Sequence, residues 1–278
     1  MRDIPTTPLP DGTPIPVLGL GTWKMGEAHA NASAEIATLR AGLDQGVTLF
    51  DTAEMYASGG AERILGQAIE GQRDKTFLVS KVLPSNAGRA RAIAACEASL
   101  KRLGTDRLDL YLLHWRGSVP LAETVRAFED LVAAGKILRW GVSNFDAADL
   151  AELDAISRNC AVNQVLYNLT RRGPEFDLLP QANRRSMPVM AYSPIEQGAL
   201  VDAPAVLDIA RRHEASPAQI ALAWVLRRPG VVAIPKTSRA ERVTENLGAL
   251  DIELTETDLA RLDKAFPPPR RKTALEMI

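Results

Sequence analysis

Four residues in the first half of the chain, Asp51, Tyr56, Lys81 and His114, are of types that together can deliver a proton. A tyrosine hydroxyl titrates near ~10, so at neutral pH it is a poor acid or base unless its phenolate is stabilised. A lysine ammonium beside it would supply that stabilisation by charge attraction. An aspartate next to the lysine keeps the lysine charged and holds its long side chain in place. A histidine facing the group can orient a carbonyl oxygen toward the tyrosine. Taken singly, each has a plainer reading. Asp51 and Lys81 could form a structural ion pair, Tyr56 could be a packing residue at a helix edge, and His114 a satisfied core histidine. Joint placement has to decide.

A second cluster lies near the other end of the chain. Lys236, Arg239 and Arg242 stand at the start of a helical pattern, where cationic side chains and free backbone N–H groups make an anion site. Gly19-Leu20-Gly21 lacks the third glycine of a dinucleotide fingerprint, because Lys24 stands there. His114 has no partner at metal-ligand spacing, so no metal site is expected.

The elements that must position these groups alternate along the chain. Val17-Leu20, Val47-Phe50, Thr76-Ser80, Leu108-Leu113, Ile137-Val142, Val162-Val165, Val189-Ala191 and Val231-Ile234 read as short buried strands. Amphipathic stretches between them read as helices near Ala34-Gln45, Glu62-Ile69, Arg89-Arg102, Leu121-Ala134, Ala147-Ser157, Asp177-Arg185 and Pro217-Leu226. Two more follow the last strand, Arg239-Leu250 and Thr255-Ala265, the second opened by Thr255 and Asp258 in a capping-box arrangement. Eight strands, each followed by a helix, fit one closed (β/α)8 TIM barrel better than an open doubly wound sheet. The Pro- and Gly-rich opening predicts a β-hairpin over the barrel floor, and the whole chain is expected to be a single domain.

A barrel carries its chemistry just after the strands. Asp51 to Tyr56 follow the second strand, Lys81 the third and His114-Trp115 the fourth. Ser143-Asn144, Gln164, Tyr192-Ser193-Pro194 and Lys236-Thr237 fall at the ends of the last four. All are expected on one rim. Trp23 and Trp115 read equally well as walls of an apolar pocket and as rim packing. Trp140 and Trp224 read as core, His29 and His213 as surface, and the pairs Arg171-Arg172, Arg184-Arg185, Arg211-Arg212 and Arg270-Arg271 as solvated faces.

Composition narrows the partners. The 278 residues are 46% hydrophobic and 24% charged, ordinary globular values. A net charge of -1 gives no reason to expect nucleic acid or an anionic membrane. No apolar run approaches the roughly 20 residues of a membrane span, and the N-terminal stretch carries no export signal. Cys96, in a predicted helix, and Cys160, in a predicted loop, read as reduced thiols, so a cytoplasmic protein is expected.

Together the stretches GLGTWKMG (from Gly19), DTAEMYASGGAERILG (from Asp51), LVSKV (ending at Val82), DLYLLHWRG (from Asp109), GKILRWGVSNF (from Gly135), NQVLYN (from Asn163), MAYSPI (from Met190) and AIPKTSRAERVTENL (from Ala233) resemble the aldo-keto reductase superfamily. They span nearly the whole chain in the family's order. The ending FPPPRRKTALEMI and the DTAEMYASGGAE stretch are similar to a bacterial subgroup of methylglyoxal reductases. The resemblance implies a catalytic tetrad of Asp51, Tyr56, Lys81 and His114, with NADPH delivering hydride to a carbonyl carbon and Tyr56 donating the proton. It implies that the nicotinamide stacks on Tyr192, with Ser143, Asn144 and Gln164 on its carboxamide. Lys236 and Arg242 match positions that hold the 2′-phosphate, and Glu245 and Asn246 match positions that meet the adenine. Further cofactor contacts are implied at Gly21, Thr22, Trp23, Asp51, Ser193, Pro194, Ile195, Ile234, Thr237 and Ser238. Trp23, Tyr56, His114 and Trp115 are expected around a small-molecule carbonyl substrate, and a monomer is the family's common form.

Two rivals stay in view. A Schiff-base lyase would use Lys81 as nucleophile, but Asp51 and Tyr56 are better used to tune a tyrosine. A barrel that binds NADPH only as a regulatory subunit would have no use for the tetrad. The segment Ile195-Ala203 and the tail after Pro267 are short, which predicts an open pocket and a preference for small aldehydes or dicarbonyls.

Overall fold

In the computed structural model, which describes residues 2–278, ten strands and ten α-helices build one barrel with an N-terminal hairpin. The hairpin pairs β1 (Thr6–Pro8) with β2 (Pro14–Pro16) antiparallel. The barrel strands are β3 (Leu20–Gly21), β4 (Leu49–Asp51), β5 (Phe77–Val82), β6 (Leu110–Leu113), β7 (Trp140–Ser143), β8 (Cys160–Leu166), β9 (Val189–Tyr192) and β10 (Val231–Ala233). Each is parallel to its neighbour, in chain order around the sheet. The edges meet. Gly19 N donates to Ala233 O at 2.9 Å, Ala233 N to Val17 O at 2.8 Å and Gly21 N to Pro235 O at 3.0 Å. On its other side Gly19 is pressed against β4, where an added Cβ would fall 2.7 Å from the Leu49 carbonyl oxygen.

The helices are α1 (Ala32–Asp44), α2 (Gly60–Ala68), α3 (Arg89–Leu103), α4 (Leu121–Ala133), α5 (Ala147–Asp154), α6 (Leu178–Arg184), α7 (Pro204–Arg212), α8 (Pro217–Leu226), α9 (Ala240–Gly248) and α10 (Glu256–Ala265). None is long and apolar enough to cross a membrane. Two apolar layers result. Helix faces pack on the outside of the sheet around Leu39, Leu65, Phe128, Trp140 and Trp224. Inside the barrel, Leu49, Val79, Leu110, Leu112, Val162, Met190 and Val232 form a separate layer, which Leu9 and Ile15 of the hairpin complete from below. Two stacked layers around closed parallel strands leave chemistry only at the C-terminal rim.

The strands and most helices fall within a few residues of the expected spans, and Thr255 and Asp258 form the capping box that opens α10. Three expectations are corrected. Pro204–Arg212 is a helix where none was assigned; Pro204 fills its first turn and Val206, Ile209 and Ala210 bury its inner face. Cys160 is not in a loop but opens β8, buried and free. Arg171-Arg172 is not a solvated face. Arg172 is only 6% exposed and pairs with Glu175 at 2.9 Å and Asp263 at 2.7 Å, fastening α10 to the barrel.

Candidate active site

Lys81, near the end of β5, is fully buried, and its ammonium is satisfied on every side. Nζ donates to Asp51 Oδ2 at 2.7 Å, to the Thr52 carbonyl at 2.8 Å and to Tyr56 Oη at 3.4 Å. Burial alone would push a lysine toward neutrality. The Asp51 carboxylate and the Tyr56 hydroxyl outweigh it, so the Lys81 pKa rises and the charge stays. Asp51, the last residue of β4, is held from its other oxygen by Gln164 Nε2 at 2.8 Å. One buried carboxylate thus spans from β8 to β5 and fixes the lysine beneath the tyrosine.

Tyr56 starts the short turn of helix after β4, where Ala57 and Ser58 take left-handed backbone angles before α2 begins. Burial raises its pKa. The Lys81 ammonium opposes that rise and Asp51 adds to it, leaving the net shift upward. The lowering expected from Lys81 is present but is outweighed by desolvation, so at neutral pH the hydroxyl keeps its proton. His114 follows β6, with its ring 5.8 Å from that of Tyr56 and nearly perpendicular to it. Burial, then the Lys81 charge, drive its pKa down to about 3, which makes it a neutral imidazole. Its Nδ1 is buried without a partner among the described residues. Trp115 packs on the other side of the ring, 4.8 Å away.

These groups open onto a cavity of about 600 Å³ at the C-terminal rim. Gly21, Trp23, Asp51, Tyr56, His114, Trp115, Ser143, Asn144, Gln164 and Tyr192 face it. Ser193, Pro194, Ile195 and Ile234 continue its wall, and Lys236, Thr237, Ser238 and Arg242 close its far end together with Arg239. Thr22, Glu245 and Asn246 do not reach the wall. Thr22 is buried, with its hydroxyl on the Asp51 carbonyl at 3.1 Å, and Asn246 is buried in α9. Lys24, Met55, Gln197 and Gly198 line the cavity without having been anticipated, as do Met277 and Ile278. No local periodicity in the sequence points the tail at the rim.

Asn144 ties the wall together from a left-handed backbone conformation (φ 60°), which asparagine tolerates better than most residues. Its Nδ2 donates to the His114 carbonyl and to Ser143 Oγ, both at 3.0 Å, and its Oδ1 accepts from the Tyr192 hydroxyl at 2.9 Å. The Tyr192 hydroxyl is therefore tied to the wall. At the far end, Lys236 Nζ donates to Ser238 Oγ at 2.7 Å, and partial burial lowers its pKa. Among the described residues Lys236, Arg239 and Arg242 make no salt bridge, and α9 begins beside them. Unpaired cations at a helix N-terminus fit a phosphate group. No group of three or more potential metal ligands occurs among the described residues.

The comparisons with known proteins agree with this geometry. The family model described as "Aldo/keto reductase family" matches residues 17–266. The chain is 54% identical over 271 residues to the methylglyoxal reductase YeaE of Escherichia coli (strain K12), covering 95% of each. It is 36% identical over 265 residues to a glyoxal reductase of Bacillus subtilis (strain 168), covering 93% of this chain and 91% of the relative. An aldo-keto reductase from Klebsiella pneumoniae, solved in complex with NADPH, superposes with a TM-score of 0.97 at 51% identity over all of both chains. With the barrel, the buried Lys81–Asp51 pair and the match across residues 17–266, the chain belongs to the aldo/keto reductase family.

Proposed function

We propose that this aldo/keto reductase uses NADPH to reduce small carbonyl compounds, dicarbonyls of the methylglyoxal type foremost, with Tyr56 as the proton donor. The observation that carries the reading is the Tyr56–Lys81–Asp51 chain of contacts at the floor of the cavity. The cavity fits the cofactor. Its far end offers Lys236, Arg239 and Arg242 to phosphate, and its near end offers the Tyr192 ring with Ser143, Asn144 and Gln164 to a nicotinamide. When bound, NADPH supplies hydride to the carbonyl carbon.

The chain's own residues do the rest. The protonated Tyr56 hydroxyl donates to the carbonyl oxygen as negative charge develops there. The phenolate left behind gains the Lys81 ammonium 3.4 Å away, an attraction worth most in that state. Asp51 keeps Lys81 charged, and Gln164 keeps Asp51 in place. Neutral His114 orients the substrate oxygen and does not compete as an acid. Trp23, Trp115 and Met55 supply apolar surface around a small substrate.

Identity to the methylglyoxal and glyoxal reductases supports the dicarbonyl preference. The buried free thiols of Cys96 and Cys160 support the reading of a protein that works in the reducing cytoplasm. The test is a substrate panel followed by NADPH absorbance. Methylglyoxal and glyoxal should exceed aldose sugars in kcat/KM, and a panel in which sugars or steroids win would overturn the substrate assignment.

A further inference from the structure

Arg171 stands in the turn that leaves β8, outside the cavity wall, and it touches two segments that form that wall. Its Nε and Nη2 donate to Glu196 Oε1 at 3.0 and 2.8 Å, and its Nη1 donates to Glu276 Oε1 at 2.7 Å. Glu196 belongs to the loop after β9; Tyr192, which ends that strand, and Ser193 to Ile195, Gln197 and Gly198 of the loop face the cavity. Glu276 belongs to the C-terminal tail, whose last two residues, Met277 and Ile278, also face it. We propose that Arg171 is a positioning residue that holds the Tyr192 loop and the tail closed over the cavity as one unit. The inference rests on the reading of the cavity as a site for NADPH and a carbonyl substrate.

The turn is built to aim this guanidinium. Asn168 is fully buried, and its Oδ1 accepts from Thr170 N and Thr170 Oγ1 at 2.9 Å and from Arg171 N at 3.0 Å. Its Nδ2 donates to the Ser193 carbonyl at 2.9 Å and to Glu196 Oε2 at 2.5 Å. Glu196 is thus gripped on one oxygen by Asn168 and on the other by Arg171. That grip has something to hold, since Ser193, Glu196 and Gln197 all take left-handed backbone angles (φ 48°, 47° and 53°) that such residues rarely adopt. Charged side chains tether the tail at two points. Lys272 lies 3.3 Å from Asp177 and 3.8 Å from Asp146, and Glu276 is held by Arg171 alone.

The charge count explains why one arginine can couple the two walls. Two carboxylates share one cation, so without it Glu196 and Glu276 face each other unpaired and repel. Asn168 then grips Glu196 by one oxygen alone, so the Tyr192 loop loosens, and Glu276 loses its one ionic partner, so the tail leaves. An isolated exposed ion pair is worth little, but here loss of the cation replaces two attractions with a repulsion. Tyr192 and the tail residues Met277 and Ile278 line the same cavity.

Arg171→Ala should raise both the KM for methylglyoxal and the Kd for NADPH by about three- to tenfold, with kcat within about twofold of wild type. Glu276→Gln, which frees only the tail, should raise KM and leave the NADPH Kd within about twofold. A folded Arg171→Ala protein with a lowered Tm but unchanged KM and Kd would make Arg171 a purely structural residue and overturn the proposal. A wild-type protein that does not oxidise NADPH with any carbonyl would instead refute the functional reading. A second measurement does not depend on activity. Carboxypeptidase should remove Ile278 and Met277 at least about threefold faster from Arg171→Ala and Glu276→Gln than from wild type, and equal rates would overturn the link between Arg171 and the tail.

Discussion

Lys81→Met separates the two jobs that one buried ammonium performs. Methionine has nearly the same length and no charge, so the change removes the attraction to Tyr56 and leaves the Asp51 carboxylate buried with Gln164 as its remaining side-chain partner. At 3.4 Å and an effective dielectric near 20, a full charge pair is worth about 5 kcal/mol, or about three and a half pH units. The cavity opens onto the hydroxyl and screens part of that attraction, so an upward displacement of at most that amount is expected. In the oxidation direction, with an alcohol and NADP+, Tyr56 must accept a proton, so the pH at which activity rises should move upward by up to that amount. Stability has its own signature. Breaking a buried pair costs about 3–5 kcal/mol, because one charge remains unpaired, and Asp51→Asn in the same chain should restore most of it. Urea denaturation of the single and double variants measures the second effect, and pH profiles of alcohol oxidation measure the first. An unchanged oxidation profile in folded Lys81→Met would refute the claim that Lys81 acts on Tyr56.

Three further outcomes are expected. Tyr56→Phe should lower kcat by more than about a hundredfold with NADPH binding nearly unchanged, and a folded variant that retains most of its activity would assign the proton to another group. Arg242→Ala should weaken NADPH binding by about tenfold while NADH stays within a few-fold of wild type, since only NADPH carries the 2′-phosphate; fluorescence titration of both cofactors checks it, and equal losses would leave Arg242 a role in the loop alone. The His114 pKa near 3 in the folded state lies below the ordinary histidine value near 6.5. The unfolded chain therefore binds the proton first as pH falls, and stability present above pH ~6.5 declines toward pH ~3, by about 2–3 kcal/mol at pH 4.5. His114→Gln should flatten that part of the urea-midpoint profile, and an identical acid slope in the variant would contradict it.

The barrel was legible in the sequence because parallel strands buried on both faces read as short β-branched runs, and because helices between them carry their own start signals. The rim followed from the order of the strands, so the gathering of Asp51, Tyr56 and His114 at one cavity, with Lys81 buried behind them, could be anticipated. Helix α7 escaped, although Pro204 in its first turn and Val206, Ile209 and Ala210 on one face carried the usual signal in only nine residues. Apart from Glu175, three positions after Arg172, the roles of Arg171 and Arg172 had no local signature. Both are decided by carboxylates about 90 to 105 positions away, Asp263 and Glu276, and only the folded chain brings those near. The same holds for Met277 and Ile278, whose position depends on those distant anchors. The net direction of the Tyr56 shift was not legible for a related reason, since burial cannot be read from a lysine and a tyrosine in a sequence.

The hairpin beneath the barrel has a consequence for assembly. Leu9 and Ile15 belong to the same interior layer as Leu49, Val79, Leu110, Met190 and Val232. The hairpin therefore seats against a surface that is complete only when a strand more than 200 residues later has closed the seam. Such sequence-distant closure is slow, because the entropy of the long loop must be lost before the contacts form. Until then the hairpin has no apolar face to cover, and two strands alone are marginal in water. A nascent chain stalled before Val232 would carry an open sheet with two unpaired edges and a loose N-terminal ribbon, a state in which edge-to-edge association competes with barrel closure.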